Sequence, residues 1–158
     1  MRAHKNYTRV VIPDSKYNSQ MVTKLINAVM SDGKKSVATK QVYDALSLLK
    51  EQTKVDEMTY INEALENVKP AMEVRSRRVG GASYQVPVPV RNERKQTLAI
   101  RWIIDAARAR SNSSYHSFAA KLVAEVIEAH EQTGNAMKKK LDTHRMADAN
   151  KAFSHFRW

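Results

Sequence analysis

Met21, Val22, Leu25, Ile26, Val29 and Met30 recur at the three-and-four spacing of one helix face, and Asp32-Gly33 ends the run, which predicts a first amphipathic helix from Asn18 or Ser19. Val37, Ala38, Val42, Ala45, Leu46 and Leu49 mark a second, from Ser36 to about Gln52. After a polar break at Lys54 to Asp56, Ile61, Ala64, Leu65 and Val68 make a shorter third helix that Pro70 stops. Further on, Asn92 reads as an N-cap with Glu93 in the first turn of a fourth helix. Ala99, Ile100, Trp102, Ile103, Ile104, Ala106 and Ala107 give that helix a wide apolar arc and make it the expected central one. Asn112-Ser113-Ser114 reads as a capping cluster for a fifth helix with Phe118, Leu122, Val126 and Ala129, ending by Gly134. A sixth, with Met137, Leu141, Met146 and Ala149, runs on toward Ala152 and Phe153.

Between the third and fourth helices the period changes. The run from Glu73 to Arg91, EVRSRRVGGASYQVPVPVR, has Val-rich flanks around Gly80-Gly81, which supplies the backbone freedom of a tight reversal. Pro87 and Pro89, two apart, leave their missing N–H groups on one edge, so that edge recruits no further strand. An even-length turn sets Arg77 opposite Tyr84 and Arg75 opposite Val86, a face able to meet phosphate and stack on a base. The hairpin is expected to stand as an isolated arm whose arginines and Tyr84 are ordered by something outside the protein, because a lone hairpin is marginal in water. The fold expected is mainly α: a single domain of about six helices with one protruding two-stranded β-hairpin, preceded by a basic arm. The arm takes residues 1–17 and the helical body 18–158, with the hairpin at 73–91.

Composition sharpens this picture. At 158 residues and 42% apolar the chain is long enough to bury a core without staples, and only four Gly and four Pro leave room for long helices. Cysteine is absent, which removes disulfides and thiolate metal sites and suits a reducing cytoplasm. No apolar run approaches the roughly 20 residues of a membrane span, and MRAHKNYTR has no apolar core for a signal peptide. The net charge is +11, and it is unevenly spread: residues 1–70 hold 11 basic and 8 acidic side chains, residues 71–158 hold 16 and 8. Eight of the twelve arginines fall between Arg75 and Arg110, and arginine suits forked phosphate contacts and stacking. Arg94, Arg101 and Arg108 lie seven apart on one helix face with Asp105 as their single acid. Lys138-Lys139-Lys140 near the start of the sixth helix calls for an anion facing it. The end, Phe153 to Trp158, interleaves aromatic and basic groups that could stack on bases or fold back on the helices. Nucleic acid is the partner class indicated, ahead of an anionic membrane or an acidic protein.

Catalytic chemistry finds no footing. Gly33-Lys34-Lys35-Ser36 has the look of a phosphate loop, but Ala28 stands where the pattern needs Gly, and Lys35 where it needs Ser or Thr. The histidines, His4, His116, His130, His144 and His155, include no pair at metal-ligand spacing, and no nucleophile elbow or dinucleotide glycine pattern occurs. The acids read as spread along helix surfaces. A non-enzyme without metal, cofactor or small-molecule substrate is expected. On the residues alone a DNA-architectural protein with ribbon arms stays open, as does an RNA-modifying enzyme, which would need a cofactor pocket.

The hairpin run continued through NERKQTLAIRWIIDAARAR, the C-terminal HRMADANKAFSHFRW and the early PDSKYNSQMVTKLINAVMSDGKKSVA together resemble the bacterial form of small-subunit ribosomal protein seven, from Pro13 onward. Asn18 stands where that family often has Gly, and the first dozen residues fit it poorly. The resemblance implies a structural constituent of the small ribosomal subunit that binds the 3′ major domain of the ribosomal RNA and nucleates head assembly. It implies a place in the cytoplasmic ribosome near the decoding centre, the transfer RNA exit site and the messenger RNA path, beside the ninth and eleventh small-subunit proteins. By matching position, Lys34, Lys35, Arg75, Arg77, Arg78, Arg91, Arg94 and Arg101 would serve ribosomal RNA. Val79, Gly80, Gly81, Ala82, Ser83 and Tyr84, with Arg145 and Arg157, would face transfer RNA.

Overall fold

The computed structural model describes residues 10–156. In chain order these form α1 (Gln20–Val29), α2 (Lys35–Thr53), α3 (Glu57–Val68), β1 (Met72–Val79), β2 (Ala82–Pro89), α4 (Asn92–Ala109), α5 (Phe118–His130) and α6 (Gly134–Ala149), followed by a 3-10 helix, Lys151–Phe156. The antiparallel pair lies between the third and fourth helices, as the change of period predicts.

Local chemistry explains the boundaries. The Asp56 carboxylate accepts the N–H of Thr59 at 2.8 Å and caps α3, a bond that holds this carboxyl below its ordinary range. The Ser117 hydroxyl accepts from Ala120 at 3.2 Å, so the cap of α5 is Ser117 and not the Asn112–Ser114 cluster. Asn92 is already inside α4; the cap position belongs to Arg91, whose side chain makes no capping bond. Residues 1–9 of the predicted arm lie outside the described residues. Its remainder is tied to the body, because the Asp14 carboxylate accepts the N–H groups of Lys16 and Tyr17 at 3.1 and 3.2 Å and the Tyr43 hydroxyl at 2.8 Å.

The apolar stripes meet in one core, with Val22 and Leu25 of α1, Val42, Leu46 and Leu49 of α2, Ile61, Leu65 and Val68 of α3, Ile103 and Ile104 of α4, and Leu122 and Val126 of α5. Full burial of such side chains contributes about 1.5–3 kcal/mol each, an upper estimate for any real unfolded chain. The fourth helix is not central alone. α5 touches α2, α3, α4 and α6, while α4 touches α1, α3, α5 and α6 and keeps an arginine face in solvent. Val37, Leu141 and Met146, counted in the predicted stripes, are about half exposed.

Three acids expected at the surface are buried: Glu57, Glu73 and Glu125. Glu125 is fully buried and satisfied on both oxygens. One accepts the Ala136 N–H at 2.8 Å in the first turn of α6; the other accepts from Arg110 at 2.9 Å (Nε) and 2.6 Å (Nη2). Arg110 also bonds Glu128, and burial, which alone would lower its pKa, is outweighed by Glu128 and Glu125, which push it up and keep the guanidinium charged. Here is the anion that the positive end of α6 requires, supplied by α5. Lys140 of the lysine triplet turns to the far end of α3, its Nζ donating to the Asn67 carbonyl at 2.5 Å, and leaves Lys138 and Lys139 exposed. Gly134 starts α6 at φ +85, where a Cβ would stand 2.8 Å from Glu128 Oε2.

Candidate nucleic-acid interface

The hairpin has the register its sequence predicts: Arg77 pairs with Tyr84 and Arg75 with Val86, across a turn whose Gly80 and Gly81 both have positive φ. The Val90 N–H donates to the Ala71 carbonyl at 3.1 Å, and alternation from that pair puts Pro87 and Pro89 at positions that make no ladder bond. The prolines therefore cost no hydrogen bond.

It is not an isolated arm. Val86 is fully buried, Glu73 and Pro87 are buried, both strands touch α6, and β2 touches the 3-10 helix. The Ala71 N–H at the hairpin root donates to His144 Nε2 of α6 at 3.0 Å. Nor does Tyr84 wait for an external partner. Its ring lies 5.3 Å from Phe153 and 5.1 Å from Phe156, so the C-terminal segment folds back, onto the hairpin instead of the helical core. The long reach of α6 was not visible in the hairpin's own pattern.

The root is fastened by charge. One Glu73 oxygen takes Arg75 Nη2 at 2.5 Å and the other takes Arg94 Nε at 2.8 Å, so a buried carboxylate joins β1 to α4. Burial alone would raise the Glu73 pKa, but the hydrogen bonds and charges of Arg94 and Arg75 outweigh it and hold the carboxyl below its ordinary value. Because the folded pKa is depressed, the stabilisation is complete above the unfolded value and disappears as pH falls through the folded one. Parent and Glu73→Gln are expected to differ most in unfolding free energy above the ordinary carboxylate range and to converge as pH falls below it and Glu73 protonates in the folded state. A gap independent of pH would show that the Glu73 charge does not hold the hairpin.

Arg94, Arg101 and Arg108 share the outer face of α4, and fourteen residues at about 1.5 Å of rise place its ends about 21 Å apart. At one end Arg94 meets the hairpin root; at the other Arg108 Nη2 donates to the Val29 carbonyl at the end of α1, 3.0 Å away. The stripe thus links the hairpin to the α1–α2 corner, where Lys34 and Lys35 open α2. Beside them is a cleft of about 250 Å³ lined by the apolar Val29, Val37 and Phe118 and by the cationic Lys34 and Arg108. Gln41 also lines it, and its Oε1 is buried with no hydrogen-bond partner among the described residues. A second groove, along α2, gathers Lys16, Lys35, Thr39, Lys40 and Tyr43, with Lys16 Nζ 5.0 Å from the Tyr43 ring.

Of the residues the resemblance singles out, Lys34, Lys35, Arg78, Arg91 and Arg101 are exposed and Arg77 is half-buried, and no side-chain partner is found for any of them among the described residues. Arg75 and Arg94 are engaged on Glu73. The tip, Val79 to Ser83, is largely exposed, and Ser83 Oγ lies 2.7 Å from Ser76 Oγ. Arg145 is exposed beside Asp142, 3.6 Å away, far from the α1–α2 corner in sequence and on a different helix; Arg157 lies outside the described residues. Sequence reasoning missed Gln41 and the α2 groove. Lys35, Thr39 and Tyr43 do stand four apart, a polar stripe that could have revealed the groove; the orphaned Gln41 oxygen leaves no mark in sequence.

Comparison with known proteins agrees in kind. The family model described as ribosomal protein S7p/S5e matches residues 1–151. The small ribosomal subunit protein uS7 of Xanthobacter autotrophicus is 56% identical over 157 residues, 99% of each chain, and that of Methylocella silvestris is 54% identical over the same span. The uS7 protein of Acidithiobacillus ferrooxidans is 51% identical over 150 residues, 95% of this chain and 94% of the relative.

Proposed function

The chain belongs to the ribosomal protein S7p/S5e family, and from that premise we propose that it binds the 3′ major domain of small-subunit ribosomal RNA directly and nucleates assembly of the head. It is a ribosomal structural protein of the small subunit and not an enzyme, as its uS7 relatives are. In this reading residues 1–17 are an RNA-tracking arm and 18–158 the RNA-binding body. Lys34, Lys35, Arg77, Arg78, Arg91 and Arg101 meet ribosomal phosphates, with Arg75 and Arg94 adding contacts from the hairpin root. The tip from Val79 to Tyr84, with Arg145 and Arg157, faces transfer RNA at the exit site and the messenger path, and the ninth and eleventh small-subunit proteins are neighbours.

The observation that carries this is the cationic band along α4, which joins hairpin and α1–α2 corner: Arg94 and Arg108 are fixed at its ends by Glu73 and the Val29 carbonyl, and Arg101 between them is exposed with no side-chain partner among the described residues. A rigid body presenting fixed cations to several RNA helices releases counterions and holds a junction in one geometry. Specificity then comes from shape and from unstacked bases, because the major groove of A-form RNA is too narrow for side chains. The cleft at the corner suits one such base: apolar lining for its faces, Gln41, whose buried Oε1 has no partner among the described residues, to turn toward a ring or amino N–H, and Lys34 and Arg108 for the adjoining phosphate.

Chemical footprinting on the 3′ major domain tests the assignment. The parent should protect a compact set of nucleotides including one extruded base. Gln41→Leu should expose that base and weaken binding about tenfold, the worth of one or two hydrogen bonds, while leaving thermal stability unchanged or higher, since it removes an unsatisfied acceptor. An identical footprint for both proteins would mean the cleft reads no base; absence of any footprint from the parent would overturn the RNA assignment itself.

A further inference from the structure

The 3-10 helix Lys151–Phe156 has no buried residue of its own, yet it is folded against β2 and the end of α6. Its geometry explains the choice of fold. A 3-10 helix has three residues per turn, so positions three apart stand directly above one another, whereas an α-helix would rotate them apart. Phe153 and Phe156 are three apart, and their rings are nearly parallel, 14° between planes and 6.5 Å between centroids. Tyr84 of β2 sits against both, 5.3 and 5.1 Å away, and His155 adds its ring 4.0 Å from that of Phe156. The segment enters this turn with the Phe153 N–H on the Asn150 carbonyl at 2.9 Å, just where α6 ends.

We infer that this 3-10 helix is a strap that fixes the outer half of the hairpin against the body, with Tyr84 as the point of attachment. The hairpin has two zones. Its inner half is held by the Glu73 ion pairs and buried Val86; its outer half, beyond the Arg75–Val86 pair, carries exposed or half-exposed residues on both strands. Tyr84 is the one outer-zone side chain with an aromatic partner off the hairpin among the described residues. Whatever engages residues Lys151–Phe156 therefore changes the freedom of the hairpin tip, without touching the tip. This holds whether or not the tip contacts RNA.

Amide hydrogen exchange on the free full-length protein tests it. In Phe153→Ala/Phe156→Ala the amides of Arg77 and Tyr84 should exchange about tenfold faster or more, from loss of two aromatic contacts, while Val86 and the amides of α5 keep their protection. Phe156→Leu, which keeps apolar volume but no ring, should give a smaller release confined to the same amides. Parent-like protection of Arg77 and Tyr84 in both variants would overturn the strap, as would equal acceleration at α5 in Phe156→Leu.

Discussion

Glu125→Ala should cost about 3–5 kcal/mol in urea unfolding, a large share of the roughly 5–15 kcal/mol that holds a domain together. The residue is fully buried and accepts from both the Ala136 N–H and Arg110. Its removal strands the Ala136 N–H at the positive end of α6 and takes from Arg110, only a tenth exposed, one of its two carboxylates. It also leaves a cavity at the joint of α5 and α6. Glu125→Gln keeps the volume and one acceptor and should lose less, about 1–3 kcal/mol. A loss below about 1 kcal/mol for the alanine variant would mean that α6 is docked by its apolar contacts alone.

Replacing Lys34, Lys35, Arg78 and Arg101 together by alanine should weaken binding to the 3′ major domain by about 10²–10³-fold near physiological salt and reduce the log–log salt slope by about three units, at roughly 0.7–0.9 per phosphate. Unfolding free energy should stay within about 0.5 kcal/mol, because these side chains have no partner to lose among the described residues. Arg75→Ala with Arg94→Ala would not be so clean, since it strands the buried Glu73 charge and loosens the hairpin root as well as removing contacts. Salt-titrated filter binding separates the two sets. An unchanged slope in the fourfold variant would remove those cations from the interface.

Exposed cations on a helix face, and a Gly80-Gly81 turn whose length dictates which residues stand opposite, are local properties, and Arg77 does face Tyr84. Apolar periodicity likewise located the six α-helices of the described residues. Burial of charge is different, because it depends on partners brought in by the fold. Arg110 reaches Glu125 fifteen residues on, and Arg94 reaches Glu73 twenty-one residues back, so acids on plausible surface positions became anchors. Phe153 meets Tyr84 from the other end of the chain, which is why the hairpin looked free. Cap chemistry failed for a smaller reason: Ser117 and Asn112 are both good caps, and only the backbone of the loop decides between them. Composition, for its part, identified nucleic acid but could not separate RNA from DNA; the whole-chain likeness to a ribosomal family does that.

The direct test is therefore competition. Purified protein is bound to the 3′ major domain of small-subunit ribosomal RNA against duplex DNA of equal length, across a salt series. A strong RNA preference that survives at physiological salt is expected, because shape and an unstacked base add to the phosphate contacts. Equal affinity for both, vanishing together as salt rises, would contradict it and leave a generic polycation.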